Sequence, residues 1–132
     1  MSNKSVLACI TPQAHCKEII HTAKQMANRL SAEILVVTVL PTKETAENRS
    51  KGIKVLKQLS EECNVEISLI YSDTPAISIA ALAENIKPIH MFMGEDNGFL
   101  SNIRNLYGFS PISIVSKGIF CTIPAEYDII KK

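Results

Sequence analysis

An excess of either charge is almost missing from this sequence: 14 lysines and arginines face 13 aspartates and glutamates, a formal net charge of +1 over 132 residues. A chain so balanced lacks the electrostatic footprint expected of a protein that binds nucleic acid or an anionic membrane. Extended apolar stretches are missing as well. Stretches such as Ile34–Leu40 fall far short of the roughly 20 apolar residues that cross a bilayer, so direct membrane insertion is not expected. Near the amino end, Pro12, Gln13 and His15 interrupt any signal-peptide core. The four cysteines, Cys9, Cys16, Cys63 and Cys121, form no CxxC pair and read as reduced thiols of a cytoplasmic protein. A metal site is not expected either. Cys16 and His21 stand five residues apart on one helix and point to different faces.

What is present, 46% hydrophobic and 20% charged residues, suits a single globular domain over residues 1–132. Ser5–Ile10 is a short apolar run closed by Thr11-Pro12, as in a buried parallel strand. Residues 14–30 repeat Ile19, Ala23, Met26, Ala27 and Leu30 at helical spacing. Ile34–Leu40 is rich in β-branched residues, the composition of a strand covered on both faces. Beyond Pro41-Thr42, residues 44–63 form a polar helix with a stripe of Ile53, Leu56, Leu59 and Cys63, weakened locally by Gly52. Val65–Tyr71 alternates as a strand with one less buried face.

In Ser72-Asp73-Thr74-Pro75, Thr74 can cap a helix and Pro75 fits its first position. That helix is expected to bury Ile79, Ala80, Ala83 and Ile86 and to stop at Lys87-Pro88. Ile89–Met93 reads as a fourth buried strand. A glycine-bearing loop over residues 94–107 follows, then a short helix over Ser110–Lys117 and a terminal strand at Glu126–Ile130. This alternation predicts an α/β domain with a doubly wound, five-stranded parallel sheet, right-handed crossovers and helices on both faces. Its ligand edge lies beyond the carboxyl ends of the strands, near Thr11, Pro41 and Gly94.

The loop that begins at Gly94 carries the most specific pattern, with nine residues between Gly98 and Gly108 and Ser110 close behind. It resembles the phosphate-binding loop of the universal stress protein family: Gly, two residues, Gly, nine residues, Gly, then Ser or Thr. Three residues, Glu95, Asp96 and Asn97, occupy the first interval here, and Phe109 comes between Gly108 and Ser110. Glycines in such a loop let backbone N–H groups reach phosphate oxygens. Equally, they can serve only the dihedral freedom of a chain reversal. Asp73-Thr74-Pro75-Ala76, with Ile79 and Ala83, resembles the start of the family's third helix, and Met93-Gly94 the exit of its fourth strand.

The likeness covers residues 5–130. It implies a Rossmann-like fold of the adenine nucleotide alpha hydrolase-like type with strand order 3-2-1-4-5. It further implies ATP or another adenine nucleotide as ligand, held by Thr11, Pro12, Thr38, Gly94, Gly98, Gly108 and Ser110. The family also implies a homodimer formed through the C-terminal strand. ATP-binding members end their first strand in an aspartate, where this chain has Cys9-Ile10-Thr11-Pro12. That ending, with Gln13-Ala14-His15, is similar to the stress-protein-like domain of Kdp-type potassium-sensing histidine kinases. The alternative it implies is a module that binds no nucleotide and acts as the interaction domain of a sensor kinase or transporter. Cyclic di-AMP is a further ligand of such domains, and Ala125 and Tyr127 keep part of that motif.

Catalysis has little support. His15 and His21 fall on one polar helix, His90 lies inside a strand, and Cys9 reads as a small core residue. The Ser-Gly-Gly-x-Asp-Ser loop of adenylating enzymes of this fold is replaced by Thr11-Pro12-Gln13. The expectation is a regulatory or signalling module of the cytoplasm, not an enzyme.

Overall fold

An uncharged run rich in aliphatic residues has to be covered on both faces, and β1 (Ser5–Ile10) is buried along its whole length. After it come α1 (Cys16–Leu30), β2 (Glu33–Leu40), α2 (Ala46–Cys63), β3 (Ile67–Tyr71) and α3 (Pro75–Ile86). The chain continues through β4 (His90–Gly94), α4 (Phe99–Leu106), β5 (Ile112–Ser116) and β6 (Ile119–Ile123). The computed structural model describes residues 4–10, 16–94, 99–116 and 119–123.

Five parallel strands stand in the order 3-2-1-4-5, as the alternation and the family resemblance imply, and β6 extends the sheet antiparallel to β5. Alternate side chains divide two cores. Val6, Ala8, Val36 and Phe92 meet α1 and α2 on one face, whereas Leu7, Val37, Met91 and Ile112 meet α3 and α4 on the other. Leu7, Met91, Phe92 and Ile112 are fully enclosed. Burial of each side chain of this kind contributes about 1.5–3 kcal/mol.

Local chemistry sets the helix ends. α1 buries Ile19, Ile20, Ala23 and Ala27, and its two alanines allow a close approach to the sheet. The hydroxyl of Thr45 accepts from the Asn48 N–H at the start of α2, and Asn64 closes that helix in the left-handed region. α3 begins at Pro75, as its sequence predicts, but Thr74 makes no side-chain cap. Its N–H donates to Ser72 Oγ instead, and the two hydroxyls are 3.2 Å apart.

Beyond Gly94 the structure departs from the sequence reading. Residues expected in an open loop form α4, which packs beside α3 through the buried Ile103 and Tyr107. The helix expected over Ser110–Lys117 is instead β5: Ile112, Ser113, Ile114 and Val115 alternate between the two faces beside β4. The terminal strand expected at Glu126–Ile130 lies outside the described residues. Ile53, expected in the buried stripe of α2, is exposed; burial in that helix begins only at Leu56.

Candidate functional site at the carboxyl edge of the sheet

β1 lies between β2 and β4, and the crossovers leave it in opposite directions, so the winding reverses between β1 and β4. A crevice opens at the carboxyl ends of the strands at such a point. Of the residues expected around it, Thr11, Pro12 and Gly98 lie outside the described residues. Thr38 stands opposite Ile10 in the β1–β2 ladder, buried, and its hydroxyl has no hydrogen-bond partner among the described residues. Gly94 ends β4. A Cβ there would lie 3.2 Å from the Ile19 side chain, so the glycine answers to the close approach of α1.

Gly108 and Ser110 are not brought to this edge. α4 carries the chain back to the amino end of the sheet, where Ser110 donates its hydroxyl hydrogen to the Pro88 carbonyl and lies 2.8 Å from the Tyr107 hydroxyl. Pro88 precedes β4 and Gly94 closes it, which at 3.3 Å per residue places them about 20 Å apart. A single phosphate cradle cannot contain both Gly94 and Ser110. The nine-residue interval is spent on a helix rather than on exposed backbone N–H groups.

The structure builds something else at the tips of β2 and β3. Asp73 accepts the Thr42 N–H at 3.0 Å and the Thr42 hydroxyl at 2.6 Å, tying the two loops together. Those bonds, the hydroxyl first, hold the Asp73 carboxyl below its ordinary pKa. Arg49 donates to the Thr42 carbonyl at 3.1 Å and sits 4.9 Å above the Tyr71 ring. Its Nε is buried without a hydrogen-bond partner among the described residues. Arg49 and Tyr71 also line a cavity of about 310 Å³, walled on the sheet side by Leu40, Pro41 and Tyr71 and on the helix side by Glu44, Asn48, Arg49 and Gly52.

Gly52 has no packing reason to be glycine. A Cβ there would meet nothing within 4 Å, yet glycine inside a helix costs about 1 kcal/mol relative to alanine. Positive charge gathers here too. Between Lys43 and Lys57 stand five basic and two acidic residues, a surplus of three against +1 for the whole chain. Sequence reasoning missed this site because its walls come from three separate segments. The available signals were an unexplained glycine within a helix and the local surplus of basic residues.

His90 and Ser113 are the described pair whose spacing suggests chemistry. His90 Nε2 lies 2.7 Å from Ser113 Oγ, which lies 2.7 Å from Thr122 Oγ1. Ser113 is fully buried, however, and His90 nearly so, stacked on Phe92 at 4.6 Å, so no substrate reaches the serine. Burial also pushes the imidazole below its ordinary pKa, keeping it neutral at pH 7, and raises the Cys9 thiol to about 12. No group of three or more His, Cys, Asp or Glu side chains suited to a metal occurs among the described residues. None of the described helices is long and apolar enough to cross a membrane.

No protein-family model and no curated protein matches the sequence. Solved structures do match the fold. A universal stress protein from Archaeoglobus fulgidus superposes with a TM-score of 0.73 at 13% identity, covering 88% of this chain and 96% of that one. The universal stress protein from Archaeoglobus fulgidus in complex with dAMP gives a TM-score of 0.70 at 15% identity, covering 87% and 98%. A universal stress protein in complex with cAMP gives 0.65 at 14% identity, again covering 87% and 98%. The chain therefore has the fold of the universal stress proteins, and two of these structural neighbours carry an adenine nucleotide.

Proposed function

We propose that this chain is a regulatory module of the universal-stress-protein type that binds an adenine nucleotide above the carboxyl edge of its sheet. The observation that carries this reading is the placement of that edge. The winding reverses between β1 and β4, and proteins of the same fold have been seen with dAMP and cAMP. The module acts in the cytoplasm and does no chemistry on its ligand, in keeping with the enclosure of its described Ser–His pair. It works as a homodimer, and ATP belongs among the nucleotides to be compared.

One observation favours a second reading. With Ser110 held at the amino edge, the family's phosphate cradle is not assembled. That suits an interaction domain of a sensor kinase or transporter that dispenses with nucleotide.

Isothermal titration with AMP, ADP, ATP, cyclic AMP and cyclic di-AMP separates the two. Saturable binding of an adenine nucleotide at micromolar to millimolar concentration supports the first reading, and no heat with any of the five removes it. Incubation with ATP tests the absence of turnover, and release of ADP above background would overturn it.

A further inference from the structure

We propose that the cavity between α2 and the tips of β2 and β3 takes the base of a purine nucleotide, and that its phosphates lie along Arg49, Lys54 and Lys57. The inference rests on the adenine-nucleotide reading above; it keeps the ligand at the carboxyl edge of the sheet but moves both base and phosphates from the β1–β4 crevice to the tips of β2 and β3.

The cavity falls within the size range of small-ligand sites. Its sheet-side wall, with Leu40, Pro41 and the Tyr71 ring, offers apolar surface to a flat heterocycle. Its helix-side wall offers the Glu44 carboxylate, from the loop just before α2, and the Asn48 amide, from the first turn of that helix. A carboxylate accepts from an exocyclic amino group, and an amide both donates and accepts, so together they match the hydrogen-bonding edge of an aminopurine.

Open space at this point is a property of the sequence. The first ten residues of α2 bury no side chain, and Gly52 leaves the cavity unfilled where any larger residue would enter it. Arg49 and Glu44 also line a second, shallower groove of about 560 Å³, which continues past Lys54 and Lys57. At 1.5 Å per residue, Lys54 lies about 7.5 Å and Lys57 about 12 Å along the helix from Arg49. Those intervals suit an α-phosphate and the phosphates beyond it. Arg49, held over Tyr71 and against the Thr42 carbonyl, stands at the junction of the two spaces.

Titration of AMP and ADP into the wild-type chain and into Gly52→Leu, Tyr71→Ala and the double variant Lys54→Glu/Lys57→Glu tests the proposal. Circular dichroism checks that each variant is folded. The proposal expects Gly52→Leu and Tyr71→Ala to weaken AMP and ADP at least tenfold. The double lysine variant should weaken ADP more than AMP. Amide spectra of labelled wild-type protein with AMP should shift the Gly52 backbone and Asn48 side-chain signals. Unchanged affinity in folded Gly52→Leu, or shifts confined to Thr38 and Gly94, would overturn this location and leave the adenine-nucleotide reading standing. A wild-type chain that binds neither nucleotide would overturn both.

Discussion

Asp73 grips Thr42 with both carboxylate oxygens, one on the backbone N–H at 3.0 Å and one on the hydroxyl at 2.6 Å. The two residues are 31 positions apart, so this pair fixes the β2–α2 loop against the β3–α3 loop. Its carboxyl is held below the ordinary 3.8 by those bonds. The ionised form is thereby favoured in the folded state, so the stabilisation is complete above the unfolded-state pKa and is lost as pH falls through the lower folded value. Asp73→Ala is expected to lower the melting temperature at pH 7, and the difference from wild type should shrink as pH falls below 3.8. Differential scanning calorimetry from pH 7 to pH 2.5 checks it; a constant gap would show that the charge is not what the pair contributes.

His90 has the opposite ionisation chemistry but the same pH sign. Burial lowers its pKa below the ordinary 6.5, so below that value the unfolded chain binds a proton that the folded chain refuses. Stability is full above pH 6.5 and falls as the solution is acidified towards the folded value. His90→Gln, which keeps a side chain able to bond Ser113, should flatten this decline. Urea midpoints at pH 7.5 and pH 5.5 measure the slope; equal slopes in both proteins would exclude His90 as its source.

Gly52→Ala is expected to stabilise the chain. A methyl group there meets nothing within 4 Å, and replacing glycine by alanine in a helix interior contributes about 0.5–1 kcal/mol. Denaturant unfolding should show a higher midpoint with an unchanged slope. A destabilised variant would mean that the cavity wall is closer packed than its geometry indicates.

The first four strands and three helices were legible because each carries a continuous apolar run, an alternation or a helical spacing, several of them ended by a proline. Ile34–Leu40 has too many β-branched residues for a surface helix, and Pro75 and Pro88 bracket α3. The segment after Gly94 was not legible, for two reasons. Gly98 and Gly108 carry a familiar interval, which hid the helical spacing of Ile103 and Tyr107. Pro111 fits the first position of a helix as well as the start of a strand, and a run of four or five residues such as Ile112–Ser116 is too short for periodicity to decide. Pairing with β4 decides it. Thr38 and Gly94 fall near the carboxyl ends of β2 and β4, as the strand bounds read from the sequence imply. The cavity at the β2–β3 tips depends on contacts between Arg49, Thr42 and Tyr71 that no local pattern announces.

Ser110 offers the sharpest separation between what the glycine spacing implies and what the fold does. As part of a phosphate cradle its hydroxyl would contribute to ligand affinity and little to stability. In the structure it is buried at the amino edge, donating to the Pro88 carbonyl and bonded to the Tyr107 hydroxyl. Ser110→Ala leaves that carbonyl without its donor and Tyr107 without its hydroxyl partner. Loss of a buried hydrogen-bond partner costs about 1–3 kcal/mol. The variant should therefore unfold at lower denaturant while binding AMP with unchanged affinity. Tyr107→Phe removes only one of the two bonds and should fall between it and wild type. Equal stability combined with at least tenfold weaker AMP binding would return Ser110 to the ligand site and overturn the assignment of residues 99–106 to a structural helix.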